Sequence, residues 1–106
     1  MDQELDELRR EFLAEAEQKV REMQNTLTAA RDASSLDRVG YLAHQLKGSG
    51  GSYGYQSISA DAAEIEKAIE SVTDDRGIDD GVQKKISEHV LRLQSEIGER
   101  ARELGR

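Results

Sequence analysis

The stretch LDRVGYLAHQLKGSGGSYG, residues 36–54, decides how the chain is read. Leu36, Val39, Ala43, Leu46, Gly50 and Tyr53 follow one another in alternating steps of three and four. That alternation marks one buried stripe along an α-helix, the pattern of a helix in a bundle. Calling the stripe positions a and d puts His44 at b, Lys47 at e and Gly48 at f, all off the seam and toward water or a partner. Glycine inside a helix costs about 1 kcal/mol relative to Ala, so Gly40, Gly48, Gly50 and Gly51 are a burden that needs a reason. Two readings stand side by side. In one, Gly48 caps the helix and GSGGS is a loose connector. In the other, the helix runs on over 35–51, because Gly50 and Tyr53 keep the stripe. Gly48 then lies one turn beyond His44 and Gly51 one turn beyond Lys47, leaving a shaved face around an exposed imidazole.

Outward from this stretch the same periodicity recurs. Leu5, Leu8, Phe12, Ala16, Val20, Met23, Leu27 and Ala30 are spaced close to the helical repeat of about 3.6 and predict a first helix over 3–31. Asp2, Glu4, Asp6 and Glu7 crowd its first turns, where the helix dipole favours negative charge. Ser34, followed by Asp37, reads as the start of the second helix. Tyr55, Ile58, Ala62, Ile65, Ile69 and Val72 predict a third helix over 55–72. The acidic loop 73–81, TDDRGIDDG, is rich in turn formers and lacks the alternating ligand order of a calcium loop. Ile78, Val82, Ile86, Val90, Leu93, Ile97 and Leu104 predict a fourth helix over 79–104, with Gly105 placed to end it. Four amphipathic helices with short connections predict an all-α fold, an antiparallel up-down-up-down four-helix bundle, as a single domain over 1–106.

Composition narrows the function. The 106 residues include no Cys and no Pro, one Phe and three Tyr. Disulfides and thiolate metal sites are therefore unavailable, which fits a reducing cytoplasm. A formal net charge of −7 argues against a nucleic-acid partner, whose phosphates require a basic face. No apolar run approaches the ~20 residues that span a bilayer, and MDQELDELRR lacks a signal-peptide core, so no membrane association and a cytoplasmic location are expected.

His44 is the residue that packing does not account for. From Val39 through Ala60 there is no Asp or Glu, in a chain carrying 22 of them. An imidazole with an ordinary pKa of about 6.5 is mostly unprotonated at neutral pH, leaving one ring nitrogen free to attack phosphorus. The phosphoryl group so gained needs a nearby cation, and Lys47 shares that helix face. A carboxylate beside the nucleophile would repel both the incoming phosphate and an acidic metal-binding pocket delivering it. His89 falls between Ile86 and Leu93 on a half-buried stripe and reads as structural. Two histidines without an i, i+4 partner make no metal site.

These residues resemble a known family. His44-Gln45-Leu46-Lys47-Gly48-Ser49, with Gly54 ten residues after the His, is similar to the signature of histidine-containing phosphotransfer (HPt) domains, and the likeness extends over the chain. Leu46, Ile58 and the pair Ile65-Glu66 also sit where that family places apolar residues and a following acid. The resemblance implies that His44 accepts a phosphoryl group on the ring nitrogen farther from the backbone, that Lys47 stabilises its charge, and that Gly48 leaves room for a docking partner. Glu66 matches an acid that, in the similar phosphotransfer domain of chemotaxis histidine kinases, hydrogen-bonds the other ring nitrogen. Tyr41 and Gln45 are expected in the docking surface by nearness to His44, Gly51 as part of the shaved face one turn beyond Lys47, and Gly54 in a structural role. The implied partners are response-regulator receiver domains or a hybrid histidine kinase, with Mg²⁺ supplied by the receiver, no cofactor bound by this chain, and a monomeric state. Two alternatives stand beside a relay carrier: the substrate domain of a chemotaxis-type kinase, charged by a separate ATP-binding domain, and a bundle that only binds a partner through its glycine-shaved face.

Overall fold

The structure, a computed structural model, describes residues 3–29, 32–72 and 80–105. It has four helices, α1 (Gln3–Ala29), α2 (Ala33–Ser52), α3 (Gln56–Glu70) and α4 (Asp80–Leu104), and no strand among the described residues. The expectations for Ala30, Arg31, Ile78 and most of the loop 73–81 lie outside the described residues; Asp80 and Gly81, expected in that loop, already belong to α4.

Contacts at both ends of each helix pair fix the directions. Phe12 near the start of α1 stacks on Tyr53 at the end of α2, with centroids 5.0 Å apart, while Glu22 farther along α1 pairs with Arg38 early in α2. Gly40 faces Ile69 and Gly50 faces Ser59, so α2 and α3 run oppositely. Arg10 donates to the Leu104 carbonyl and Gln24 to the side chain of Gln94, which makes α1 and α4 antiparallel. The three relations leave α3 antiparallel to α4 and give the up-down-up-down bundle.

Each helix contributes its stripe to one core, in which Ala16, Met23, Val39, Ala43, Leu46, Ala62, Ile65, Ile86 and Leu93 are fully buried. The core is wider than the a and d seam, since Leu13, Leu42 and Ala68 are also buried; a helix in a globular bundle covers an arc broader than two positions per heptad. Leu5 and Leu8 depart from expectation, at 38% and 47% exposed. The Leu104 carbonyl, in the last turn of α4, is held by Arg10, so the two turns of α1 before Arg10 have little helix beside them to pack against.

Helix starts also differ from expectation. Asp32, not Ser34, caps α2: its side chain accepts from the Ser35 amide at 2.8 Å, satisfying a donor that the first turn leaves open. The α3 helix begins one residue after Tyr55, which is its N-cap, and closes at the C-cap Ser71.

The glycine-rich segment is helical through Ser52, which settles the open reading of GSGGS. Tertiary contact supplies what propensity withholds. A Cβ on Gly50 would lie 3.2 Å from the Ser59 amide nitrogen and 3.4 Å from Ile58 Cγ2, so α2 and α3 approach at a distance that suits glycine. Ser59 Oγ adds a hydrogen bond to the Lys47 carbonyl at 2.8 Å. The chain then reverses through Gly54, whose φ is +85°. The Gly54 amide bonds the Gly51 carbonyl at 3.1 Å and the Tyr55 amide bonds the Gly50 carbonyl at 2.8 Å, the paired bonds of a Schellman ending, in which the left-handed position favours Gly. Tyr53 and Tyr55 on either side of it both stack on Phe12 of α1, tying the reversal to the first helix.

Candidate functional site

The α2 helix holds His44 midway along its length with the ring outward, its side chain 65% exposed. The antiparallel register of α3 brings Glu66 beside it. Glu66 Oε2 lies 2.7 Å from His44 Nδ1, and Glu66 Oε1 lies 2.7 Å from Lys47 Nζ. One carboxylate thus joins two residues that are neighbours on the facing helix. It is the most covered of the three, 19% exposed against 41% for Lys47.

The Lys47 ammonium, through its hydrogen bond, holds the Glu66 carboxyl below the usual carboxylate range; burial opposes this and the bond from His44 adds to it. An ionised carboxylate can only accept, so the proton of the shared bond resides on His44 Nδ1. In the neutral ring the lone pair is then on Nε2, which forms no hydrogen bond among the described residues. This is the nitrogen farther from the backbone, and its lone pair is left available on an exposed ring.

The segment free of acids in sequence is therefore not free of them in space. The acid-free run along α2 does not keep carboxylates from the imidazole: Glu66, the acid that the family resemblance sets against the ring, stands beside it, delivered by α3, with its charge offset by Lys47. It engages Nδ1 and leaves Nε2 clear. Asp37 and Glu70 also border the shallow depression beside His44, together with Gly40, Tyr41 and Ile69.

The remaining residues expected near the site divide between open surface and helix contact. A Cβ on Gly48 would meet nothing within 4 Å, so that position is open. Gly51 is half-buried, and a Cβ there would lie 3.7 Å from Ser59 Oγ, which puts it against α3 as well as on the surface. Tyr41 is 53% exposed and its hydroxyl accepts from Gln45 Nε2 at 2.9 Å. Arg38 lies over the Tyr41 ring at 5.5 Å while pairing with Glu22 of α1; sequence reading missed this support, since nothing local relates residue 22 to residue 41. Gly54 sits in the reversal described above, away from the imidazole. His89 is only 12% exposed and lies 3.0 Å from Asp61 of α3, a tie between helices.

Among the described residues no group of three or more His, Cys, Asp or Glu side chains is placed to hold a metal ion, and no helix is long and apolar enough to cross a membrane. Compared with curated proteins and with solved structures, the chain finds no match. The family model of the Hpt domain, a histidine phosphotransfer module of two-component signalling that works with receiver domains or histidine kinases, matches residues 7–102. That span takes in the core of all four helices and every residue placed around His44, and the chain belongs to the Hpt domain family.

Proposed function

We propose that this chain is a phosphorelay carrier whose phosphoryl acceptor is His44 Nε2. A receiver domain bearing an aspartyl phosphate and its Mg²⁺ docks over the exposed ring. The Nε2 lone pair attacks phosphorus in line, the N–P bond forms as the bond to the aspartyl oxygen breaks, and the receiver carboxylate leaves with the electron pair. The Nδ1 proton stays in place, and Glu66 offsets the positive charge that the ring acquires. Lys47 turns from Glu66 toward the transferred phosphoryl oxygens, and Gly48 gives the partner clearance. A second receiver reverses the steps. The metal and its acidic pocket come from the receiver, so this chain contributes nucleophile, orientation and one cation, and has no autokinase activity.

The observation that carries the reading is the 2.7 Å bond from His44 Nδ1 to Glu66 on a ring that is 65% exposed. Packing does not require that bond, and it puts the lone pair of the neutral ring on the outer nitrogen. The test is a panel of phosphorylated receivers offered to wild type and His44→Gln. Wild type is expected to acquire acid-labile, base-stable phosphate and the variant none. Equal labelling of the variant would remove His44 from the chemistry.

The same Glu66 bond supports a second reading, the substrate domain of a chemotaxis-type kinase, because an acid in that position contacts the imidazole in the similar domain. Incubation with a separate kinase catalytic domain and ATP distinguishes the two, since the relay carrier takes phosphate from receivers instead. A bundle that only binds a partner would keep its function with Gln at position 44 and would carry no phosphohistidine.

A further inference from the structure

His44 stands between two bare positions. The residues one turn before and one turn after it on α2, Gly40 and Gly48, both lack a side chain, and these are the positions whose side chains would crowd the ring. Helix packing explains neither. A Cβ on Gly48 would meet nothing within 4 Å, and one on Gly40 would meet only the end of the Ile69 side chain, 3.5 Å from Cγ2. Each still weakens the helix relative to Ala. Gly50 differs, with backbone of α3 against it.

The two bare positions differ in charge. On the Gly48 side stand Lys47 and a run of α2 without acids. On the Gly40 side is a hollow bordered by half-buried Ile69, Tyr41 and two carboxylates, Asp37 from α2 and Glu70 from α3. Neither carboxylate forms an ion pair among the described residues. The third acid there, Glu66, is already engaged by Lys47 and His44. An apolar floor with free carboxylates at its rim fits a side chain with an aliphatic stem and a cationic head.

Resting on the reading that receivers exchange phosphate with His44, we propose that the Gly40 hollow accepts a Lys or Arg side chain of the docked receiver while the receiver's acidic pocket lies over Lys47 and Gly48. The face is polarised along α2, so one docking orientation is favoured and the reverse sets acid against acid at Asp37 and Glu70. Charge complementarity of this kind governs encounter rate and orientation more than affinity.

The test uses a phosphorylated receiver that charges wild type, with transfer rates measured for wild type, Gly40→Leu and the double variant Asp37→Asn/Glu70→Gln at low and high salt, and thermal melts of each. Gly40→Leu is expected to melt at or above the wild-type temperature yet to accept phosphate about tenfold more slowly. The double variant should be severalfold slower at low salt, with a flattened salt dependence, because screening removes the same attraction. It reports even where Leu at position 40 disturbs the α2 and α3 contact. Wild-type rates in both variants, or a faster double variant, would overturn the inference while leaving the carrier reading intact. Failure of every receiver to charge wild type would instead remove the carrier reading, and this inference with it.

Discussion

Glu66 sets what His44 and Lys47 can do, because one carboxylate satisfies both. Its two oxygens lie 2.7 Å from His44 Nδ1 and 2.7 Å from Lys47 Nζ, so substitution of either partner changes the other. In Lys47→Ala the largest cause of the low Glu66 pKa is gone, and the carboxyl should titrate closer to its ordinary value in a carbon-detected NMR titration. On the proposed relay the same variant should also lose a charge-assisted contact to the phosphoryl group, an interaction of about 1.5–3 kcal/mol, which corresponds to transfer roughly 10- to 100-fold slower. Glu66→Gln keeps the shape and removes the charge. Lys47 can only donate, so it keeps the one amide oxygen, and the amide nitrogen then faces Nδ1 as a donor, which favours the tautomer with the proton on Nε2. Nitrogen NMR of His44 should then show protonation moved from Nδ1 toward Nε2, with slower transfer and a melting temperature little changed. An unaltered tautomer population would show that Glu66 does not orient the ring.

Among the elements, the pairing of α2 with α3 makes the site, and its glycines are not equivalent. Ala at Gly40 or Gly48 meets flexible side chain or open space and should stabilise the chain by about 0.4–1 kcal/mol through the unfolded state. Ala at Gly50 meets the Ser59 backbone at 3.2 Å and should lose that gain to separation of the helices. Ala at Gly54 enters a left-handed conformation and should cost about 1 kcal/mol or more. Urea unfolding of the four variants tests the ranking, and a Gly54→Ala protein as stable as Gly48→Ala would contradict it. This pairing also marks the boundary of what the sequence conveys. Periodicity along Leu36, Val39, Ala43 and Leu46 is a local property, and it placed the helices, the stripe and the outward side for His44. The continuation of α2 through Gly50 and Gly51 depends on α3 lying against it, so local propensity left it undecided. The burial of Leu42 and the exposure of Leu5 and Leu8 depend on where neighbouring helices lie and stop. Asp32 took the capping role read for Ser34 because either side chain can serve, and the backbone geometry chooses. The pair Ile65-Glu66 reached the site through family likeness; periodicity alone gave Glu66 only an edge position. In sequence Asp37 reads only as part of a helix start and Glu70 has no role, because the two are distant along the chain and meet only when the helices pair.

For the whole molecule, charged groups divide into two sets that set opposite limits on stability. Glu22, bonded to Arg38, Asp32, bonded to the Ser35 amide, and Glu66, bonded to Lys47, all have pKa values lowered in the fold. Their contributions are present above the unfolded carboxylate range and are lost as pH falls through the folded values. Glu96 on α4 behaves oppositely. Burial first, and then the adjoining Asp61 carboxyl of α3, push it up to about 7, against a smaller pull from Arg100, with Glu99 adding to the rise. Its Oε2 is buried without a hydrogen-bond partner among the described residues. Below its unfolded pKa the group is protonated in both states and its contribution is full; as pH rises from there to about 7 the unfolded chain ionises the group while the fold, with Asp61 beside it, holds the proton, and the contribution is lost across that interval. Stability should therefore peak near pH 5 and decline from there to about pH 7 by about 1–2 kcal/mol, a figure reduced from the bare shift because solvent screens a group that is only partly covered. Glu96→Gln stays neutral at every pH and keeps a donor for Asp61, so chemical unfolding between pH 5 and 8 should lose its alkaline decline in that variant while the acid limb, set by Glu22, Asp32 and Glu66, stays as in wild type. An alkaline decline that persists in Glu96→Gln would place its origin elsewhere, in the growing self-repulsion of a chain whose net charge is already −7.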